Sequence, residues 1–238
     1  MISSGLLLLG LTTFAGWEPA RPKIPTLADR LQLVKEQSWS EMTCTAKEIS
    51  DMQINQIRNA GISESAHGIG NWLPKFELTD QDGETINSDE LLATGPMVLT
   101  YFRGGWCGFC KETLKALNET MPYITEAGAR LVAVSAIAPE KSAEIREELT
   151  LSYDLLSDEG LNLARKLGIV YELMPAMDSL INEYGLDIRE LHQSDQAELP
   201  IPATYVIDRQ GRIVYSFVEV DYSRRAEPAE IVAALKAM

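Results

Sequence analysis

The chain has 238 residues, 45% hydrophobic and 24% charged, with three cysteines and a net charge of −14 from 35 acidic and 21 basic side chains. This composition excludes a disordered chain, a collagen, a coiled coil and a disulfide-stapled scaffold, and the length suits one large globular domain or two small ones. The negative charge makes nucleic acid and acidic membrane surfaces poor partners, and no apolar run reaches the ~18 residues that span a bilayer.

The chain opens on Gly5 to Trp17, GLLLLGLTTFAGW, which has the length of a signal-peptide core but no positive flank. A small-x-small site lies at Thr13-Phe14-Ala15. If residues 1–15 are a signal peptide, the protein is exported; otherwise the stretch is a plain extension. Three prolines between Glu18 and Pro25 mark a linker, so residues 1–25 are set apart as a flexible or signal-like N-terminus. Leu27, Leu31 and Val34 share one helical face and predict a helix over 27–37. Ser40 is placed as the cap of a second helix that carries Ile49, Met52, Ile54 and Ile57 and ends at Gly61. Residues 26–66 thus form a helical extension, polar enough to lie on a larger body formed by residues 67–238.

From Gly68 onward short strands alternate with helical patterns. Phe76-Glu77-Leu78 and Thr85-Ile86-Asn87 flank Asp80-Gln81-Asp82-Gly83, a hairpin signal. Met97 to Phe102 and Leu131 to Ala136 are nearly continuous apolar runs, as buried central strands require. A helix is expected from Gly108 to Ala127. Others are expected over 140–149, where Glu144, Glu147 and Glu148 with Arg146 read as a solvated face, and over 161–167. Residues 170–199 are ambiguous, with a helix over 174–184 in which Met174 and Met177 read as packing. Ala203 to Asp208 and Arg212 to Val218 form a second hairpin around Asp208-Arg209-Gln210-Gly211, and Pro228 opens a final helix. Strand, helix, strand, then a hairpin and a helix describe an α/β sandwich with a mixed central sheet.

The chemistry concentrates in Arg103-Gly104-Gly105-Trp106-Cys107-Gly108-Phe109-Cys110, a Cys-x-x-Cys pair where a buried strand turns into a helix. Unpaired N–H groups and the positive end of the helix dipole stabilise a thiolate there, and Arg103 adds a fixed positive charge. Spacing of three puts both sulfurs on one turn. Cys107, at the helix edge, is expected to be the more exposed. A zinc site would need two further ligands, and Cys44, His67 and His192 are scattered without paired spacing. An inert buried pair is the remaining alternative; the βα context favours redox chemistry. Cys44 is read as a small buried residue, and His67, Arg224 and Arg225 as surface residues.

The stretch Trp106 to Cys110 resembles the Trp-Cys-Gly-x-Cys site of thioredoxins. Leu155-Leu156-Ser157-Asp158 is similar to a segment of peroxiredoxins, and Pro202 to Gly211, including Thr204, resembles a strand and turn shared across the redoxins. With Asp221 to Pro228, the Arg-Gly-Gly-Trp-Cys-x-x-Cys block looks most like a bacterial peroxiredoxin-like group within the alkyl hydroperoxide reductase C / thiol-specific antioxidant family. The resemblance covers residues 62–238. It implies a thioredoxin-like sandwich and a Cys107/Cys110 redox pair that reduces hydrogen peroxide or alkyl hydroperoxides. It also implies recycling by thioredoxin or a small thiol, no cofactor or metal, a cytoplasmic location and a possible homodimer. Reduction of protein disulfides is the alternative activity. Cys110 is the attacking sulfur by comparison with peroxiredoxins, and Cys107 by comparison with thioredoxins.

The departures from both patterns are informative. Cys107 falls where peroxiredoxins carry a peroxide-orienting Thr, Arg103 where they carry Pro, and Pro202 where they carry Arg. Arg103, Arg224 and Arg225 are the candidates to supply that cation. The buried acid of thioredoxins falls on Tyr101. Pro202 is expected to be a cis-proline facing the pair, turning the Ile201 backbone toward a substrate disulfide; a trans proline opening a strand is the plainer reading. Trp106 is expected to shield the pair and Phe109 to tune its redox poise.

Overall fold

The computed structural model describes residues 26–238, so the expectations for residues 1–25 lie outside the described residues. Two helices come first, α1 (Leu27–Glu41) and α2 (Cys44–Asn59), then a single turn, α3 (Ile62–Ser65). In α1 a capping box joins Thr26 and Asp29, and Leu27 and Leu31 are the buried pair. The cap of α2 is Thr43, whose hydroxyl accepts from the Ala46 N–H. It is not Ser40, whose hydroxyl donates to Gln37 O inside α1. The buried face of α2 is Ala46, Ser50, Gln53 and Ile57. Cys44, at its first position, lies off that face and is exposed, contrary to expectation.

The elements that follow are β1 (Glu77–Asp80), β2 (Thr85–Asn87), α4 (Ser88–Thr94), β3 (Met97–Tyr101), α5 (Gly108–Glu126), β4 (Arg130–Ser135) and α6 (Pro139–Leu149). Then come β5 (Asp154–Ser157), α7 (Asn162–Leu167), β6 (Val170–Glu172), α8 (Pro175–Glu183), α9 (Ile188–His192), β7 (Glu198–Pro200), β8 (Ala203–Ile207), β9 (Ile213–Val218) and α10 (Pro228–Lys236). Seven strands make one mixed sheet in the order β2-β1-β5-β4-β3-β8-β9, with β3, β4 and β5 parallel and the rest antiparallel. Strands β6 and β7 pair separately, a small sheet that the ambiguous 170–199 stretch did not betray.

Every residue of β3 is buried, as its apolar run requires. Alternation assigns its side chains to two faces. Val98, with Leu131 and Ala133 of β4 and Val206 of β8, joins α1, α5, α6 and α10 in one apolar cluster. Met97, Leu99 and Tyr101, with Val132, Val134, Tyr205 and Ile207, face α2, α4 and α7–α9 in the other. This is the α/β sandwich expected from the sequence. Helix α2 is tied to the second layer through Gln53, whose side-chain carbonyl accepts from the Met174 N–H at 2.8 Å.

Candidate active site

The end of β3 and the start of α5 place the cysteines. Gly104 has φ +143°, and a Cβ on it would stand 2.6 Å from Trp106 Nε1, so only glycine lets the chain turn here beneath the indole. Cys107 is the N-cap of α5 and Cys110 lies in its first turn. Both are reduced and buried, at 3% and 0% exposure, so the exposure expected of Cys107 is absent. The reason is packing: both sulfurs sit in the apolar cluster that also holds Leu27, Leu31, Phe109 and Ala226.

Two arginines enter this apolar setting. The Arg225 guanidinium reaches Cys110, with Nη2 3.5 Å from Sγ, and is itself only 8% exposed. Its other nitrogen donates to the carbonyls of Tyr222 and Arg224. Arg103, 6% exposed, lies between two rings, 4.6 Å from the centroid of Trp106 and 4.6 Å from that of Tyr222. It also neighbours Tyr171, and its charge favours the ionised form of Cys110. Tyr222 meets Phe109 edge to face at 5.7 Å.

The electrostatics divide the two cysteines. Burial disfavours charge on Cys110, but the Cys107 S–H donating to it, Arg225 and Arg103 outweigh that penalty and lower its pKa. For Cys107, burial, the hydrogen bond to Cys110 and the neighbouring thiolate raise the pKa. The surroundings thus favour the charged form of Cys110 and the protonated form of Cys107. This arrangement can attack an electrophile through Cys110 and close a disulfide with Cys107.

The sequence-derived residues do not all converge. Cys107, Cys110, Arg103 and Trp106 come together. Thr204 lies on β8, with its hydroxyl 3.0 Å from that of Thr100 on β3. Pro202 follows a trans peptide bond, against the expected cis-proline. The Ile201 N–H is given to Ile169 O, extending the β6–β7 pairing, so that donor is not offered to a substrate disulfide. Of the candidate cations, Arg224 is exposed and paired with Glu219, whereas Arg225 is buried at the site, against its expected surface position. Tyr101 faces the opposite cluster and donates to the Asp158 carboxylate, which also accepts from the Leu163 and Ala164 amides. Tyr171 and the reach of Arg225 carried no local sequence signal; the latter spans 115 residues.

Residues 69–216 match the model of the AhpC/TSA family. Peroxiredoxin Bcp of Escherichia coli strain K12 is 33% identical over 101 residues, covering 42% of this chain and 64% of that protein. Chloroplastic peroxiredoxin Q of Gentiana triflora is 24% identical over 159 residues, covering 67% of this chain and 60% of that protein. The chain thus spans somewhat under two thirds of these curated relatives. The crystal structure of peroxidoxin BcpB from Mycobacterium tuberculosis superposes with a TM-score of 0.57 at 21% identity, covering 72% of this chain and 97% of that one. That likeness shows a shared thioredoxin-like fold.

Proposed function

The chain belongs to the AhpC/TSA family, and on that premise we propose that it is a thiol-dependent peroxidase whose attacking sulfur is Cys110. One observation carries this reading: the buried Cys110 sulfur stands 3.5 Å from the buried Arg225 Nη2. A thiolate is the nucleophilic form of cysteine, and this one is charged below the ordinary thiol range.

In the proposed reaction the Cys110 thiolate attacks one oxygen of hydrogen peroxide or an alkyl hydroperoxide. The O–O bond breaks, and the leaving oxygen takes a proton and departs as water or an alcohol. Cys110 is left as a sulfenic acid. The Cys107 sulfur then attacks the Cys110 sulfur, its proton leaving with the expelled hydroxyl as water, and the Cys107–Cys110 disulfide forms. A dithiol of the thioredoxin type, or two small thiols, returns the pair to the reduced state and is itself oxidised. Arg225 and Arg103 stabilise the thiolate and the developing negative charge on the leaving oxygen. They take the place of the family arginine that Pro202 displaces. A cytoplasmic location and a homodimeric state belong to the same reading.

Protein disulfide exchange, with Cys107 attacking, is the second reading. It draws on the Trp-Cys-Gly-x-Cys block at 106–110. Two features weigh against it: burial raises the Cys107 pKa, and the Ile201 N–H is already paired.

The test is stopped-flow peroxide consumption by the reduced protein, followed by intact mass. A fast reaction that removes two hydrogens from the wild type is expected. Consumption no faster than that of a free thiol would overturn the proposal.

A further inference from the structure

Peroxide must reach one buried sulfur, and a reductant must reach the disulfide that follows. Helix α1 lies along this end of α5, with Val34 Cγ1 3.4 Å from where a Cβ on Gly108 would stand. Leu27 and Leu31 complete the apolar cluster around the sulfurs, yet they are the only fully buried residues of this fifteen-residue helix. Beyond these and the partly buried Val34, its attachments are polar. Glu227 accepts from the Leu27 and Ala28 amides at 3.2 and 2.7 Å, satisfying the first-turn donors that Thr26 leaves open. Arg30 pairs with Glu119 of α5 through two bonds of 2.8 and 2.6 Å. Lys35 Nζ stands 3.5 Å from Ser223 Oγ. Glu227 and Ser223 belong to the same loop as Tyr222 and Arg225, so α1 is fastened to the segment that holds the Cys110 thiolate. Beyond Glu41 the chain is extended at Met42 and Thr43 before α2, which is anchored separately through Gln53.

We propose that α1 is a latched strap that sets the size of the molecules reaching Cys107 and Cys110, with Glu227 and Arg30 as the latch and Met42–Thr43 as the pivot. Closed, it borders a cleft of about 440 Å³ whose walls include Ala28, Leu31, Phe217 and Arg225 but neither cysteine. That space suits a small hydroperoxide approaching along the Arg225 guanidinium. A protein reductant cannot enter it and engages the disulfide only when α1 lifts. The need for these two visitors rests on the peroxidase reading; the strap rests on the contacts alone.

The test uses the full chain in a Cys44→Ser background, which removes the exposed thiol. Modification of Cys107 and Cys110 by methyl methanethiosulfonate, which is small, and by fluorescein maleimide, which is bulky, is timed with and without Arg30→Ala plus Glu227→Ala. Losing two exposed polar fastenings is expected to speed the bulky reagent about tenfold, with a much smaller change for the small one. Equal bulky-reagent rates in the two proteins, or equal acceleration of both reagents, would overturn the strap. Amide hydrogen exchange guards against a folding defect. In the unaltered protein the amides of residues 31–41 should exchange faster than those of the first turns of α5, and equal protection would also contradict the strap. Peroxide consumption by the same proteins separates the readings. Size-gated modification without peroxide turnover keeps the strap and removes the peroxidase.

Discussion

Two helices of this molecule start at or just behind a cysteine, and only one sets buried arginines beside the sulfurs. Helix α2 starts at Cys44 behind a Thr43 cap, exposed and, among the described residues, with no arginine hydrogen-bonded to its sulfur. Helix α5 starts behind Cys107, with Cys110 one turn in, both closed off from water. The unpaired amides and the dipole are common to both ends. What differs is the pair of buried guanidiniums, Arg103 from the preceding loop and Arg225 from the far end of the chain. A helix N-terminus favours a thiolate weakly by itself; here two fixed cations and the neighbouring thiol oppose desolvation and lower the Cys110 pKa.

The severest way to break this comparison is to remove the sulfurs. Cys110→Ser is expected to abolish rapid peroxide consumption. Cys107→Ser should still turn over once and stop with one added oxygen on Cys110, seen by intact mass. Loss of the first oxidation in Cys107→Ser alone would reverse the assignment. Next comes Arg225→Ala. A hydrogen bond to a charged group contributes about 1.5–3 kcal/mol, so the reaction should slow by about ten- to a hundredfold and the Cys110 thiol titration should move up. Arg224→Ala, one residue away but exposed and paired with Glu219, should alter neither. Arg103→Lys keeps a charge but loses the planar stack between Trp106 and Tyr222. About 1 kcal/mol of cation–π contact is then lost, and peroxide consumption should fall by about fivefold.

Smaller effects sharpen the contrast. Cys44→Ser should leave peroxide consumption unchanged while removing the fastest-alkylating thiol in the folded protein, as peptide mass mapping would show. Acid will also act on the fold through His192, and this must be kept apart from the thiolate. His192 is buried with neither ring nitrogen bonded to a side chain, and burial lowers its pKa from 6.5. The unfolded chain therefore binds that proton more readily. The stabilising contribution is complete above about pH 6.5 and is lost as pH falls from there toward the lower folded value. His192→Leu should flatten the melting temperature across that window without moving the Cys110 titration. The Cys110 contribution has the same sign in a higher window. It is complete above the unfolded thiol value of ~8.5 and fades as pH falls toward the folded one.

Much of this was legible in the chain. The apolar runs at Met97–Tyr101 and Leu131–Ser135 and the Cys-x-x-Cys pair before a helical pattern place the strand, the turn and the first turn of α5 correctly. Such signals are local, set by period and capping. The missing parts are contacts between distant segments. Nothing near residue 225 announces that its guanidinium reaches Cys110. Nothing near Leu31 shows that α1 covers the pair and buries Cys107. The pairing of Val170–Glu172 with Glu198–Pro200 is hidden by a proline and a long helical insertion. Pro202 misled for the same reason, because the partner that occupies the Ile201 amide is Ile169, far away in sequence.

The most direct measurement is the ultraviolet absorbance of thiolate against pH, in a Cys44→Ser background, for Cys107→Ser and Cys110→Ser. In Cys107→Ser the introduced hydroxyl can still donate to the remaining sulfur. One thiolate should therefore titrate below the ordinary range in Cys107→Ser, and none should in Cys110→Ser. A low titration that persists in Cys110→Ser and disappears in Cys107→Ser would place the reactive sulfur on Cys107 and contradict the role given to Arg225.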